Sequence, residues 1–203
     1  MYLTKITIDP TKRESALCLS DRGRLHSKIE NSFPGQRQRP LWRLDKDNGS
    51  YVLLIFSHDI PNLTEIESAI GCGNGRTISY DEYLNYVITE GAQLRFRITV
   101  NPTIRRNKDG ATIPLNLKRT ENQPYSAEDW LIDKLRRAGS EPISFVHIDS
   151  GSFRIKQGQG RVFRVTYEGI LTVKNTNEFK NAIRNGIGRK HTYGCGLLTV
   201  MPC

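Results

Sequence analysis

The chain reads as an α+β protein made of two successive strand–helix–strand–strand–helix–strand runs, the tandem ferredoxin-like (βαββαβ) order. Three observations predict it. Apolar strands alternate with polar residues, most clearly at Leu94, Phe96, Ile98 and Val100. Each half carries helical stretches opened by Asn or Ser three residues before Glu or Asp. Turn-forming pairs or glycine clusters separate consecutive strands, as Asn48-Gly49 does between Leu41–Lys46 and Tyr51–Ser57. At 203 residues the chain accommodates two small cores, expected over 1–90 and 91–203. The symmetry lies in element order alone, since no internal sequence repeat is visible.

Tyr2–Ile8 is the first strand. Thr11-x-x-Glu14 reads as a capping box for a helix through Ala16, Leu17 and Leu19, interrupted by Gly23. Leu25, Ile29 and Phe33 give a second helical stripe, stopped by Pro34-Gly35. Asn62-x-x-Glu65 opens a helix through Leu63, Ile66 and Ile70 that Gly71 ends, and Arg76–Tyr80 closes the first run as a strand. After Leu94–Val100 comes an irregular excursion, 101–124, carrying Arg105, Arg106, Lys108, Lys118 and Arg119. Ser126-x-x-Asp129 opens a helix through Trp130, Leu131 and Leu135, ended at Gly139. Ile143–Ile148 is a strand. Phe153–Lys156 and Arg161–Val165 flank Gln157-Gly158-Gln159-Gly160 as a hairpin or flap, and the strand runs on to Lys174 with Gly169 as a candidate bulge.

The formal net charge is +9. Residues 1–90 hold 11 Lys/Arg against 12 Asp/Glu, and residues 91–203 hold 19 against 9. All the excess lies in the second half, as expected if one face tracks a phosphate backbone. In the hairpin, Arg154 and Lys156 alternate with Phe153 and Ile155, so one side is cationic; Arg161 and Arg164 follow on the return strand. A charged edge that blocks sheet aggregation reads the same way. Aromatic residues make up only 8% of the chain, which disfavours base stacking on a sheet.

Cys18, Cys72, Cys195 and Cys203 lack C-x-x-C spacing, and the chain opens without an apolar signal segment. Both point to free thiols and a cytoplasmic location. No apolar run approaches the roughly 20 residues that span a bilayer, so no membrane partner is expected. His26, His58, His147 and His191 show no paired-ligand spacing; no metal and no cofactor are expected.

Gly186-Ile187-Gly188-Arg189-Lys190-His191-Thr192-Tyr193-Gly194-Cys195-Gly196 is the most distinctive stretch. It follows a helix, opened at Asn175-x-x-Glu178 and carrying Phe179, Ala182 and Ile183, and precedes an apolar strand. That order, helix–glycines–strand, reverses the dinucleotide-binding fingerprint. Glycines around Arg189 and Lys190 can present N–H groups and charge to a phosphate. Glycine content alone equally describes a flexible connection. His26 lies beside the Leu25–Ile29 stripe among Arg22, Arg24, Ser27 and Lys28, and by composition alone a lone helical histidine is an ordinary surface or packed residue.

Several local sequences together resemble the CasE family of CRISPR RNA-processing endoribonucleases, of the RAMP superfamily. They are Met1–Ile6, Leu25-His26 to Phe33-Pro34, Leu94–Arg97 leading to Asn101-Pro102, Tyr167–Leu171, and the glycine loop through Leu198. The resemblance implies metal-independent cleavage of pre-crRNA at the base of the CRISPR repeat hairpin, leaving a 2′,3′-cyclic phosphate and a 5′-hydroxyl. It implies retention of the crRNA and assembly with other Cascade subunits. It assigns catalysis to His26 and RNA contact to Gly186, Gly188, Arg189, Lys190, Gly194 and Gly196 and to the hairpin residues Arg154, Lys156, Arg161 and Arg164. Well-known members carry a tyrosine three residues before the histidine, where this chain has Gly23; Arg22, Arg24 or Lys28 are the candidates for catalytic support. A non-catalytic RNA-binding RAMP subunit and a protein-interaction module with an incidental basic face remain alternatives.

Overall fold

The structure is a computed structural model and describes residues 1–35, 38–47, 49–106, 110–154 and 161–203. The chain separates into two compact units, Met1–Asn85 with Lys190–Leu197, and Tyr86–Arg189 with Leu198–Cys203. A single cut at residue 90 would leave Lys190–Leu197 with the second half; by compactness that segment groups with the first.

In the first unit, β1 (Tyr2–Ile8), β2 (Leu41–Asp47), β3 (Ser50–Ser57) and β4 (Arg76–Ser79) form an antiparallel sheet in the order β2-β3-β1-β4. This is the ferredoxin-like arrangement. Ile6, Ile8, Leu53, Ile55 and Trp42 are fully buried in one core with Leu25, Ile29, Ile66 and Ile70 from helices α2 (Arg22–Asn31) and α3 (Leu63–Ile70). Asn62 caps α3 by accepting the Glu65 N–H, and Gly71 ends it at φ 71°, a left-handed position that favours glycine.

Two local readings change here. The Thr11–Glu14 capping box does not form: helix α1 (Arg13–Ser20) begins after Lys12, and both the N–H and hydroxyl of Thr11 donate to Asp9 Oδ1, at 2.9 and 2.7 Å. Asp9 lies two residues away and captures the threonine first. The break between α1 and α2 falls at Asp21, not Gly23. Asp21 adopts extended backbone and caps α2 by accepting from the N–H groups of Gly23 (3.0 Å) and Arg24 (3.1 Å). The sequence reading also lacks helix α4 (Tyr80–Val87), whose Tyr80 ring stacks on Tyr83.

In the second unit, β5 (Gln93–Val100) pairs with β9 (Arg161–Val173), which pairs with β8 (Ser140–Arg154); β10 (Leu198–Pro202) completes the order β10-β5-β9-β8. The same topology thus occurs twice. The alternation predicted for Leu94–Val100 holds, with Leu94, Phe96 and Ile98 buried. The 101–124 excursion contains a small hairpin, β6 (Thr103–Arg105) with β7 (Thr112–Pro114). Helix α5 (Ala127–Arg137) has the full Ser126/Asp129 capping box, and α6 (Thr176–Asn185) is capped by Asn175. The bulges lie in β8, at the register shifts Pro142/Ser144 and His147/Asp149, rather than at Gly169. Gly169 is instead a close-approach position, where a Cβ would collide with the Ser144 carbonyl and Phe145. Among the described residues no helix is long and apolar enough to cross a membrane.

Candidate functional site

Helix α2 sets the direction of His26. Leu25 and Ile29 are fully buried, which turns the adjacent His26 toward the margin of the helix, with its side chain 14% exposed. One turn on, Glu30 Oε2 lies 3.5 Å from His26 Nε2, an i, i+4 pair in which the carboxylate attracts an imidazolium. Arg22 places its guanidinium 5.9 Å from the Trp42 ring centroid. Arg24 instead turns to α1, where Nη2 meets Glu14 Oε2 at 2.7 Å. Lys28 is half-buried on the same helix.

The glycine loop is held by two tryptophans, one in each unit. Gly186 ends α6 at φ 77°, donating to Ala182, and Gly188 follows at φ 90°; a Cβ there would stand 2.9 Å from Trp130 of α5. Arg189 is exposed beyond it. In the first unit, a 3₁₀ turn (His191–Tyr193) packs against α2 and β2. Lys190 takes the left-handed conformation at φ 66°, unusual for a lysine, and its Nζ lies 5.8 Å from the Tyr193 ring centroid. Gly194, at φ 80°, leaves room for the Trp42 indole, which a Cβ would approach to 2.7 Å. Gly196 is buried, and the Leu197 carbonyl accepts from Nη1 of the buried Arg43 at 3.0 Å. Arg43 is fixed in turn by Asp45, 2.8 Å from its Nε.

The basic hairpin belongs to the second unit, where Arg154 is paired in register with Arg161 and both are exposed. Arg164 is not equivalent: it is 17% exposed and its Nη2 pairs with Asp149 at 2.8 Å. Lys156 lies outside the described residues. The second unit carries 18 Lys/Arg against 10 Asp/Glu, the first 12 against 11. Among the described residues no cluster of three His, Cys, Asp or Glu is placed to hold a metal ion.

The sequence profile of the CRISPR associated protein family matches residues 1–202. The chain belongs to that family. Among curated relatives it is 25% identical over 220 residues to CRISPR-associated endoribonuclease Cse3 of Thermus thermophilus, and 26% identical over 216 residues to the CRISPR system Cascade subunit CasE of Escherichia coli K12; both alignments cover 100% of each chain. A structure of Thermus thermophilus Cse3 bound to an RNA representing a pre-cleavage complex superposes with a TM-score of 0.81 at 22% identity, covering 99% of this chain and 98% of that one. The resemblance to CasE and the doubled ferredoxin-like fold both stand.

In this CRISPR associated protein, then, the first unit gathers His26, Arg22, Arg24 and Lys28 with Lys190, Gly194 and Gly196, while Arg154, Arg161, Arg164, Gly186, Gly188 and Arg189 belong to the second. The sequence reading did not single out Trp42, Arg43 or His191. Trp42 and Arg43 read as ordinary strand residues, and their partners in the loop, Gly194 and Leu197, lie more than 150 positions away, so no local pattern flags those contacts.

Proposed function

We propose that this chain is a metal-independent endoribonuclease that binds CRISPR repeat hairpin RNA, cleaves pre-crRNA at the stem base, and stays with the crRNA among the other Cascade subunits in the cytoplasm. One observation carries the reading: the turn His191–Tyr193 packs against α2, so the cationic end of the glycine loop and His26 belong to one compact unit. The relatives named Cse3 and CasE support it.

RNA brings its own nucleophile. The 2′-hydroxyl attacks the adjacent phosphorus in line, the bond to the 5′ oxygen breaks, and a 2′,3′-cyclic phosphate and a 5′-hydroxyl result. This chemistry needs proton transfer and charge neutralisation, and an imidazole titrates in the right range for the first. His26 moves a proton. Arg22 and Lys28 are better placed than Arg24 to face the phosphorane, because Glu14 already engages Arg24. The positive second unit supplies sequence-independent attraction to the phosphate backbone, with exposed Arg154 and Arg161 at the hairpin.

The test is His26→Ala assayed on the host's repeat hairpin RNA. Cleavage should fall by roughly 100- to 10,000-fold while hairpin binding is kept. Cleavage at the wild-type rate would remove His26 from the reaction. An unaltered RNA that binds tightly but is never cut, even by wild type, would point to the non-catalytic subunit instead.

A further inference from the structure

We infer that His191 is the second proton-transfer group of this site, working opposite His26; the inference rests on the endoribonuclease reading above. Strand cleavage by a 2′-hydroxyl requires two proton transfers, one from the attacking oxygen and one to the departing 5′ oxygen. A single imidazole cannot do both in one concerted step. Gly23, three residues before His26 on the same helix, contributes no side chain to the second transfer.

The fold brings one other suitable imidazole to the helix that bears His26. His147 belongs to the other unit, and His58 is 82% exposed and paired with Asp59 at 2.8 Å. His191 sits on the turn that packs against α2. That turn is rigidly held: Tyr193 and Gly194 donate back to the carbonyls of Lys190 and His191 at 2.9 and 3.0 Å, Gly194 rests on Trp42, and Arg43 grips the Leu197 carbonyl. Holding a catalytic group in place before substrate arrives lowers the barrier without a new contact. The left-handed Lys190 immediately before it is the kind of local strain that a fold maintains at working sites.

The surrounding charges divide the two roles. Asp21 is occupied capping α2, Arg24 pairs with Glu14, and Arg43 with Asp45. The other charged groups on the elements packed against the turn are Arg22, Lys28 and Glu30 of α2 and Lys46 and Asp47 of β2; Lys190, Tyr193 and Cys195 are the titratable neighbours on its own segment. Glu30, 3.5 Å from His26, favours the protonated imidazole that an acid needs. His191 therefore takes the 2′-hydroxyl proton as the new O–P bond forms. His26 delivers its proton to the 5′ oxygen as the old O–P bond breaks, and both rings return to their starting states through water.

The experiment is single-turnover cleavage of the host's repeat hairpin RNA by wild type, His191→Ala, His191→Gln and His26→Ala, each with hairpin affinity and melting temperature. Both His191 variants should cut about 100- to 10,000-fold more slowly and bind normally. The wild-type rate should rise and then fall with pH, and the rising limb should vanish in the His191 variants. RNA with sulfur replacing the 5′ bridging oxygen has a leaving group that needs no proton; it should rescue His26→Ala and leave His191→Ala slow. A wild-type profile with one ionisation, wild-type rates in a folded His191 variant, or sulfur rescue of His191→Ala would each overturn the inference. If only the His191 result fails, the endoribonuclease reading survives; if His26→Ala also cuts at the wild-type rate, that reading loses its catalytic residue as well.

Discussion

Gly194 lies against the indole of Trp42 so closely that a Cβ would stand 2.7 Å from the ring. The contact joins the far end of the glycine loop to β2, so the shape of the loop here is a packing requirement. Gly194→Ala meets both the ring and an unfavourable φ of 80°. It should cost about 2–3 kcal/mol in denaturant unfolding and slow cleavage more than it weakens hairpin binding. An unchanged midpoint would show that the seat carries no strain.

The hairpin arginines should separate into two kinds. Arg154→Ala and Arg161→Ala should each weaken RNA binding and lower the salt slope of the affinity by about 1, the mark of a lost phosphate contact. Arg164→Ala should change that slope less, because Asp149 already pairs with Arg164. Affinities measured over several salt concentrations check this, with Lys156→Ala as a further member of the series.

Asp129 predicts an acid limb in stability. Hydrogen bonding from Arg119, then the Ser126 N–H, holds its carboxyl well below the usual carboxylate range. The folded pKa is depressed, so the stabilisation is complete above about pH 4, where the unfolded carboxyl is ionised, and is lost as pH falls toward the folded value. Asp129 closes the capping box of α5, the helix of Trp130, by accepting the Ser126 N–H at 2.9 Å. Asp129→Asn should flatten unfolding free energy against pH below 4 and cost about 1 kcal/mol at neutral pH. An identical acid limb in the variant would contradict the assignment.

Gly23 is not a conformational necessity. It sits in the first turn of α2 without a positive φ, and a Cβ would lie 3.3 Å from Asp21 Oδ1, a tight but yielding contact. Gly23→Tyr should therefore fold. Its phenol, one turn before His26, should accelerate His191→Ala more than it accelerates the wild-type chain. Equal effects in both backgrounds would mean that the two side chains do not share a role.

What could be read from the sequence was local. The Leu25–Ile29 pair, the Asn62 cap and the Ser126/Asp129 box depend on residues within a turn or two, and they formed as written, whereas Phe33 is buried but lies past the end of α2 at Asn31. Thr11 failed as a cap because a nearer acceptor, Asp9, outcompeted the helix. Helix α4 went unread because Tyr80, Tyr83 and Tyr86 favour strands as readily as helices by propensity. The assignment of His26 rests on family resemblance rather than on any local pattern. The return of Lys190–Leu197 to the first unit was not legible, since it depends on Trp42 and Arg43 meeting residues distant in the chain.

The most direct measurement is incubation of the wild-type chain with the host's repeat RNA in EDTA, followed by analysis of both new ends. The expected result is one cut at the stem base, a 2′,3′-cyclic phosphate on one fragment, a 5′-hydroxyl on the other, and no cut where the 2′-hydroxyl upstream of the scissile phosphate is replaced by hydrogen. Cleavage that requires added divalent metal, or that leaves a 5′-phosphate, would contradict 2′-hydroxyl attack assisted by His26.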